Sequence, residues 1–197
     1  MKKILIATKN KGKVAEFAAL FEKKGYSVQS LLDLEGDLDV EETGTTFEEN
    51  AILKAEEISK LLDCPVVADD SGLEIDALNG EPGVYSARYA GLEKSDEKNI
   101  DKVLEKLEGI PEPERTARFQ CALALALPGK DTVVVRGNCE GTITHKRVGE
   151  QGFGYDPIFY VPSLQKTLAE LPKEEKNKIS HRAKALQKLE EVIDGIL

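Results

Sequence analysis

The sequence predicts an α/β fold, because segments with the hydrophobic spacing of strands alternate with segments that have the spacing of helices. Three observations favour this fold: an apolar run that leads through a polar loop into a helical pattern, an amphipathic segment that begins with a capping box, and a later stretch of alternating apolar residues. The chain has 197 residues, of which 41% are hydrophobic and 32% charged. This is enough apolar material for a core, so residues 1–197 are predicted to form a single domain without an independent boundary.

The first predicted unit consists of a strand, a loop and a helix. Lys3–Thr8 is short and apolar, as is typical of a buried strand, and a polar loop with three lysines follows it. The next segment has apolar residues at helical spacing, and Gly25 stands where a left-handed residue would end the helix. These apolar residues are Val14, Phe17, Leu20 and Phe21.

The most regular helix is predicted to begin after Thr46. Thr46 and Glu49 have the spacing of a capping box. Pro65–Ala68 then predicts a strand, and the polar residues Asp69–Gly72 predict a turn at its carboxyl end. The apolar stripe of the helix consists of Phe47, Ala51, Ala55, Ile58 and Leu62.

The second half of the chain adds two helices and two strands. Ser95 is predicted to cap a helix that closes at Gly109, and Ser180 is predicted to begin the last helix. Between these helices, Phe119–Leu127 alternates as a strand does, and Thr132–Val135 is predicted to be its neighbour in the same sheet.

Composition and charge argue against several classes of protein. The net charge of −9 disfavours a nucleic-acid partner, whose binding needs a basic face. The longest apolar run, Cys121–Leu127, is far below the roughly 20 residues that span a bilayer, and Ile4–Ala7 is shorter than the roughly 7–15 apolar residues of a signal peptide. Three widely spaced cysteines indicate neither a disulfide framework nor a zinc site. We therefore expect a cytoplasmic protein without nucleic-acid or membrane partners.

The lysine-rich loop between the first strand and the first helix is a candidate phosphate site. The amides of a helix N-terminus, with lysines and a hydroxyl nearby, favour a phosphate chain. The loop lacks the Walker A pattern, and a solvated lysine-rich turn is the alternative interpretation. The candidate residues are Thr8, Lys9, Asn10, Lys11, Gly12 and Lys13.

Two acidic pairs, Glu41 with Glu42 and Asp69 with Asp70, are candidates for a metal site. Mg²⁺ typically takes one or two carboxylates together with phosphate oxygens and waters. Because adjacent strand residues point to opposite faces, one aspartate faces the site while the other braces the turn, and we predict that Asp70 is the functional one. A solvated loop and an ordinary turn are the alternative. Gly72 stands where a D-x-D pattern would need its second acid, which argues against a phospho-aspartate enzyme.

The remaining candidates for a binding site are an aromatic loop and three basic residues towards the C-terminus. Glycines around Phe153 and Tyr155 leave an aromatic face open for a flat base, and Asp156 could accept a hydrogen bond from the base or the sugar. Edge packing is the alternative. The cations lie on either side of Ser180. The alternative is that His181 and Arg182 are exposed residues of the first turn, although cations at a helix start oppose the helix dipole unless an anion or a carbonyl group lies nearby. The loop candidates are Phe153, Gly154, Tyr155 and Asp156, and the cations are Lys176, His181 and Arg182.

Taken together, these residues predict a site for Mg²⁺ and a nucleoside phosphate. Five sequence blocks, in order from residue 8 to residue 186, resemble the inosine triphosphate pyrophosphatase family. The blocks are TKNKGK, TFEENAILKA, ADDSGLEIDALNGEPGVYSARYAG, GFGYDPIF and EEKNKISHRAKAL. So many long blocks in one order are highly specific.

The resemblance implies Mg²⁺-dependent hydrolysis of ITP, dITP and XTP to the monophosphate and pyrophosphate. It also implies a cytoplasmic homodimer that clears deaminated purines from nucleotide pools, and an elongated α/β fold with two lobes around a long mixed β-sheet and a central substrate cleft. Two alternatives remain: a pyrophosphatase for modified or pyrimidine nucleotides, and a nucleotide sensor without catalytic activity.

The resemblance further implies roles for individual residues. Thr8–Lys13 would hold phosphates, Asp70 would be the catalytic acid-base residue and a metal ligand, and Ser71 would touch the substrate. Either Glu41 or Glu42 would supply the second carboxylate for the metal. The nucleoside pocket would consist of Phe153–Asp156, Lys176, His181 and Arg182.

Overall fold

A computed structural model describes residues 2–36 and 38–196, and it places them in five helices and seven strands. The helices are α1 (Lys11–Phe21), α2 (Phe47–Leu62), α3 (Asp96–Lys106), α4 (Lys173–Ile179) and α5 (His181–Ile193). The strands are β1 (Lys2–Ile6), β2 (Tyr26–Ser30), β3 (Val66–Ile75), β4 (Thr116–Ala126), β5 (Val133–Ile143), β6 (Phe159–Val161) and β7 (Lys166–Thr167). Within this part of the chain, no helix combines the length and the apolar character needed to cross a bilayer.

The seven strands form one mixed sheet in the order β2-β1-β3-β4-β5-β6-β7. β1 pairs in parallel with β2 and with β3, whereas β6 pairs antiparallel with β5 and with β7. Parallel neighbours need a crossover, which α1 supplies between β1 and β2. The predicted α/β class is confirmed. The register pairs Ile6 with Val67, so the loop that leaves β1 runs beside the middle of β3.

One disagreement with the sequence-based prediction lies at the end of β3. The turn predicted at Asp69–Gly72 is wrong, because β3 continues through these residues to Ile75. Turn-forming residues end a strand when their polar groups find water or local backbone partners. Here the two aspartates are buried against other elements, and Leu73 and Ile75 beyond them are fully buried.

Other elements differ from the predictions mainly in length. β5 extends over Val133–Ile143, well beyond the predicted Thr132–Val135. Gly25 has a φ of 82° and ends a short 3-10 turn that continues α1, as predicted. The short elements β2, β6, β7 and α4 have no counterpart among the predicted elements.

The helix starts predicted at Thr46, Ser95 and Ser180 are confirmed, whereas α1 begins at Lys11, inside the predicted loop, because Asn10 caps it. Thr46, Ser95 and Ser180 each accept a hydrogen bond from a backbone N–H in the first turn of α2, α3 and α5, respectively. The predicted capping box of α2 is half formed, because the Glu49 carboxylate accepts from the N–H of Thr45 at 2.7 Å instead of returning to Thr46. The first turn of α2 therefore holds the loop that precedes it.

The chain divides into two compact units. The first comprises the described residues of Met1–Asp70, Cys121–Gly137 and Ala185–Leu197, and the second comprises Ser71–Gln120 and Asn138–Lys184. Each unit has an apolar core of its own. Buried side chains in the first core include Ile4, Phe17, Phe21, Leu123 and Leu189. Those in the second include Leu73, Val103, Leu107, Tyr155 and Phe159.

Candidate active site

In the first unit, Asp69 and Asp70 are neighbours on β3 but contact different helices. Consecutive strand residues point to opposite faces. Asp69 accepts a hydrogen bond from Lys13 Nζ of α1 at 2.7 Å, and Asp70 accepts one from Asn50 Nδ2 of α2 at 3.0 Å. Both aspartates are buried, at 3% and 9% exposure. The contact with Lys13 thus fixes α1 against β3, and the contact with Asn50 fixes α2 against the same strand.

Asn10 organises the lysine-rich loop after β1. Its side chain accepts hydrogen bonds from the N–H groups of Gly12 and Lys13 at 2.9 and 3.1 Å, so it caps α1. Thr8 Oγ1 accepts from the N–H of Asn10 at 3.2 Å. Two of the helix amides predicted to bind a phosphate, those of Gly12 and Lys13, therefore already donate to Asn10. Lys9 and Lys11 have exposed side chains.

The surroundings of Asp70 oppose its ionisation. Burial raises the pKa of Asp70 from its ordinary value of 3.8 to about 6, and the negative charge of Glu42 acts in the same direction. The hydrogen bond from Asn50 and the positive charge of Lys54 oppose the shift. Acids in such surroundings are common where proteins bind cations or transfer protons.

Lys54 joins the loop that carries Glu42 to β3. Its ammonium group forms an ion pair with the Glu42 carboxylate and donates to the main-chain oxygen of Asp69 at 3.2 Å. Burial alone would lower the pKa of Lys54, but its hydrogen bond with Glu42 and the nearby acidic charges outweigh burial and raise it. Lys54 therefore stays protonated. We call the following residues the acidic cluster: Lys13, Glu42, Asn50, Lys54, Asp69 and Asp70.

The two residues of the first acidic pair differ in their surroundings. Glu42 is half-buried, pairs with Lys54 and acts electrostatically on Asp70. Glu41, the preceding residue, has an exposed side chain. Of these two glutamates, Glu42 is therefore the one whose charge acts on Asp70.

The sequence argument did not select Asn50 and Lys54, although both lie in the acidic cluster. The signal for them is present in α2. Counted in helical steps from Phe47, both residues fall on the apolar face that also carries Ala51 and Ala55. A polar residue on such a face must find a buried partner, and here the partners are Asp70 and Glu42.

The donor set of the acidic cluster fits Mg²⁺. Glu42 and Asp70 supply hard oxygen ligands, and the repulsion between their charges is of the kind that a divalent cation relieves. Among residues 2–36 and 38–196, no three His, Cys, Asp or Glu side chains are grouped so as to hold a metal ion by themselves. A site with two carboxylates matches the usual arrangement in which phosphate oxygens and waters complete the shell of Mg²⁺.

In the second unit, one buried carboxylate, that of Asp156, contacts both a lysine and the main chain of an aromatic residue. Asp156 is 3% exposed, forms an ion pair with Lys176, and accepts from the N–H of Phe153 at 3.0 Å. The Lys176 ammonium lies 4.6 Å from the centroid of the Phe153 ring, which is itself 62% exposed. We call these three residues the aromatic cluster. Burial raises the pKa of Asp156, although the charge of Lys176 opposes the shift.

The remaining loop residues anchor the aromatic cluster. Tyr155 is buried, and its hydroxyl donates to the Ser86 main-chain oxygen at 2.6 Å. The N–H of Gly154 donates to Asp96 Oδ2 at 2.8 Å. Gly152 has a φ of 78°, and a Cβ at this position would collide with the Asp156 carboxylate. These contacts assign Tyr155 to the support of the loop and leave Phe153 as its exposed ring.

The other predicted pocket residues also lie in the second unit. The His181 ring stacks on Phe119 with 5.0 Å between centroids and 15° between planes. Arg182 is buried at the start of α5, and Ser71 is half-buried in β3. The structure thus brings the predicted residues into two groups: Thr8–Lys13 with the acids in the first unit, and the aromatic and late cationic residues in the second.

Comparison with known proteins identifies the family. A sequence model of the Ham1 family matches residues 4–192. The chain belongs to the Ham1 family. Solved structures of Ham1 proteins have the same fold: that of the Staphylococcus aureus Ham1 protein gives a TM-score of 0.93 at 52% identity, covering 98% of this chain and 99% of the other. The family resemblance inferred from the sequence blocks is thereby confirmed.

Relatives of this Ham1 family member carry the name dITP/XTP pyrophosphatase. The protein of that name from Geobacillus kaustophilus is 62% identical over 197 residues, which is all of this chain and 97% of the relative. That from Bacillus subtilis is 56% identical and covers 99% of this chain and 98% of its own length. The solved structure of the Mycobacterium abscessus nucleoside-triphosphatase / dITP/XTP pyrophosphatase gives a TM-score of 0.83 at 44% identity, covering 95% of this chain and 97% of the other.

The neighbouring aspartates are predicted to affect stability in opposite directions. In metal-free buffer at pH 8, Asp70→Asn should raise the free energy of unfolding by about 1–3 kcal/mol, because it removes a buried charge whose pKa is raised to about 6. Asp69→Asn should lower it by about 1–3 kcal/mol, because it breaks the buried pair with Lys13. Urea denaturation with EDTA present measures both changes.

The gain from Asp70→Asn should depend on pH. A carboxyl group whose folded pKa lies above its unfolded pKa destabilises the fold only when it is ionised. The gain should therefore be absent near pH 3.8, grow up to about pH 6, and stay constant above that value. A gain of the same size at pH 4 and at pH 8 would contradict this account.

Proposed function

We propose that this protein hydrolyses the non-canonical purine nucleoside triphosphates dITP, XTP and ITP to the monophosphate and pyrophosphate, and so removes deaminated purines from the nucleotide pool. The proposal is carried by the 56–62% identity, over nearly the full length of both chains, with proteins named dITP/XTP pyrophosphatase. The acidic and aromatic clusters supply the chemistry that such a reaction needs.

We assign the triphosphate to the acidic cluster. Lys13 reaches this cluster from the first turn of α1, where its ammonium group can share its charge between Asp69 and a phosphate oxygen. Lys54 stays protonated beside Glu42 and adds a second positive charge. Two ammonium groups held in this way stabilise the negative charge that develops on a leaving pyrophosphate.

Mg²⁺ is the metal that we propose, with Glu42 and Asp70 as the residues that would hold it. When bound, the ion would neutralise charge on the phosphate oxygens and relieve the repulsion between the two carboxylates. Asp69 is the acid that pairs with Lys13, so its part is to hold that lysine.

The reaction that we assign to Asp70 is the activation of water. Asp70 orients a water molecule or takes its proton, and the water oxygen forms a bond to the α-phosphorus. The bond between the α-phosphorus and the bridging oxygen breaks, and the electron pair leaves with pyrophosphate. The products are one nucleoside monophosphate and one pyrophosphate.

We assign the base to the aromatic cluster. The exposed ring of Phe153 offers a face on which a purine can stack. Lys176 lies close to that ring and donates hydrogen bonds only, which suits the 6-oxo group of hypoxanthine or xanthine and not the 6-amino group of adenine. His181, Arg182 and Ser71 are the further substrate contacts that the family resemblance implies. The homodimer, the cytoplasmic location and the single functional domain stay predictions.

The proposed function predicts the products of a nucleotide panel. Purified protein with Mg²⁺ should release pyrophosphate, and not single phosphate, from dITP, XTP and ITP much faster than from dATP or dCTP. Asp70→Asn should lower kcat for XTP by at least about 100-fold, as expected for the loss of an acid-base group. Release of single phosphate, or preference for a pyrimidine nucleotide, would overturn the proposal, and binding without any product would favour a sensor.

The two adjacent glutamates provide a matched test of the metal assignment. Glu42→Gln should raise the Mg²⁺ concentration for half-maximal activity by about 10–100-fold, because it removes one of two carboxylate ligands. Glu41→Gln removes the same charge from an exposed neighbour and should change this concentration less than about twofold. Equal effects of the two substitutions would show that only the overall charge of the loop matters.

Lys176 is predicted to select the base. Lys176→Met should lower kcat/KM for dITP by about 10–100-fold, because the 6-oxo group loses its donor, while the low value for dATP should change little. Lys178→Met alters an exposed lysine of the same helix and serves as the control. If Lys176→Met reduced the values for dITP and dATP by the same factor, Lys176 would contribute to binding in general and not to the choice of base.

A further inference from the structure

Asn50 is a buried amide whose two polar atoms contact different parts of the acidic cluster. The residue is 1% exposed and lies in the first turns of α2. Its Nδ2 donates to Asp70 Oδ2 at 3.0 Å, and its Oδ1 accepts from the N–H of Gly44 at 2.7 Å. One end of the side chain therefore holds the strand that carries Asp70, and the other end holds the loop that carries Glu42.

These two contacts allow only one orientation of the amide. If the group were flipped, Nδ2 would face the N–H of Gly44 and Oδ1 would face the Asp70 carboxylate, so that both pairs would repel. The contact with Gly44 thus forces Asn50 to present a donor to Asp70. A donor at this position favours the ionised carboxylate and fixes the direction of its Oδ2 atom.

The loop around Gly44 is built for close approach to Asn50. A Cβ atom at Gly44 would lie 2.7 Å from Asn50 Oδ1 and 2.7 Å from the Cβ of Glu49, so no larger residue fits without displacing the loop. Glu49 also accepts from the N–H of Thr45 at 2.7 Å. The first turn of α2 therefore holds the loop at two successive residues, Gly44 and Thr45, which begin two positions after Glu42.

We propose that Asn50 is a positioning residue that sets Glu42 and Asp70 relative to each other as a paired site for a divalent cation. The inference rests on the proposed function for the identity of the two ligands, but its own basis is the pair of hydrogen bonds on either side of one amide. Without that amide, the loop and the strand lose one of their links, the other being Lys54, and Asp70 loses the donor that directs its Oδ2 atom.

Direct metal binding tests this role apart from catalysis. Mn²⁺ binding to the purified protein is measured by the loss of the free-ion EPR signal, without nucleotide. Asn50→Leu has a similar volume and neither hydrogen bond, and it should weaken Mn²⁺ binding by about 10–100-fold, the usual effect of losing a group that orients a metal ligand. The Mg²⁺ concentration for half-maximal XTP hydrolysis should rise by a similar factor.

Ser59→Ala is the matched control for a purely structural effect. Ser59 is buried on the same helix and donates to the Cys64 main-chain oxygen at 2.7 Å, away from the acidic cluster. It should lower the melting temperature, yet leave Mn²⁺ affinity within about twofold of the wild type. Asn50→Ser is a second variant, too short to bridge the two partners, and it should reproduce the loss of affinity if Asn50→Leu does not fold.

The outcomes separate the inference from the proposed function. The inference is overturned if the wild type binds no Mn²⁺, if both Asn50 variants that fold bind it as the wild type does, or if Ser59→Ala weakens binding as much as they do. A wild-type protein that binds Mn²⁺ but releases no pyrophosphate from dITP or XTP would refute the proposed function alone, because the binding measurement does not depend on turnover.

Discussion

The acidic cluster depends on keeping three carboxylates close together in a largely buried place. Lys13 pairs with Asp69 and Lys54 pairs with Glu42, while the negative charges of Glu42 and Asp69 both act on Asp70. Repulsion of this kind destabilises a fold unless hydrogen bonds or a cation oppose it. Here it contributes to the raised pKa of Asp70, and it makes the cluster suited to a positive ion.

Hydrophobic spacing located the helices and strands but could not tell where β3 ends. Asp69–Gly72 has the composition of a turn, and the local pattern predicted one. Whether such residues leave a strand depends on partners far away in the sequence, here Lys13 and Asn50. The caps at Thr46 and Ser95 were predicted correctly because both partners of each capping bond lie within one helical turn.

Dependence on partners that are distant in the sequence also determined which site residues could be predicted. Asp70 and the lysines that follow β1 stand out by residue type and by their place after a predicted strand, and sequence blocks typical of a family support their selection. Asn50 and Lys54 are hidden inside an amphipathic helix, where only their position on its apolar face marks them. That Asp156 contacts the base or the sugar stays a prediction, and the structure adds that its carboxylate pairs with Lys176 and accepts from the N–H of Phe153. Only the structure shows that this acid is buried.

Each cluster contains a lysine that is held by a buried aspartate, Lys13 by Asp69 and Lys176 by Asp156. Fixing a free lysine side chain costs about 2 kcal/mol of rotamer entropy. A lysine that is already held in place loses less entropy when a ligand binds. The aspartate in each pair also neutralises the positive charge of its lysine. This weakens the attraction of Lys13 for a phosphate chain, and Lys54 and a metal ion can offset that effect. For the neutral 6-oxo group of a purine it is an advantage, because a lysine with its charge balanced still donates hydrogen bonds but attracts stray anions weakly. The aromatic cluster is therefore suited to select a base by hydrogen bonding, whereas the acidic cluster is suited to bind by charge.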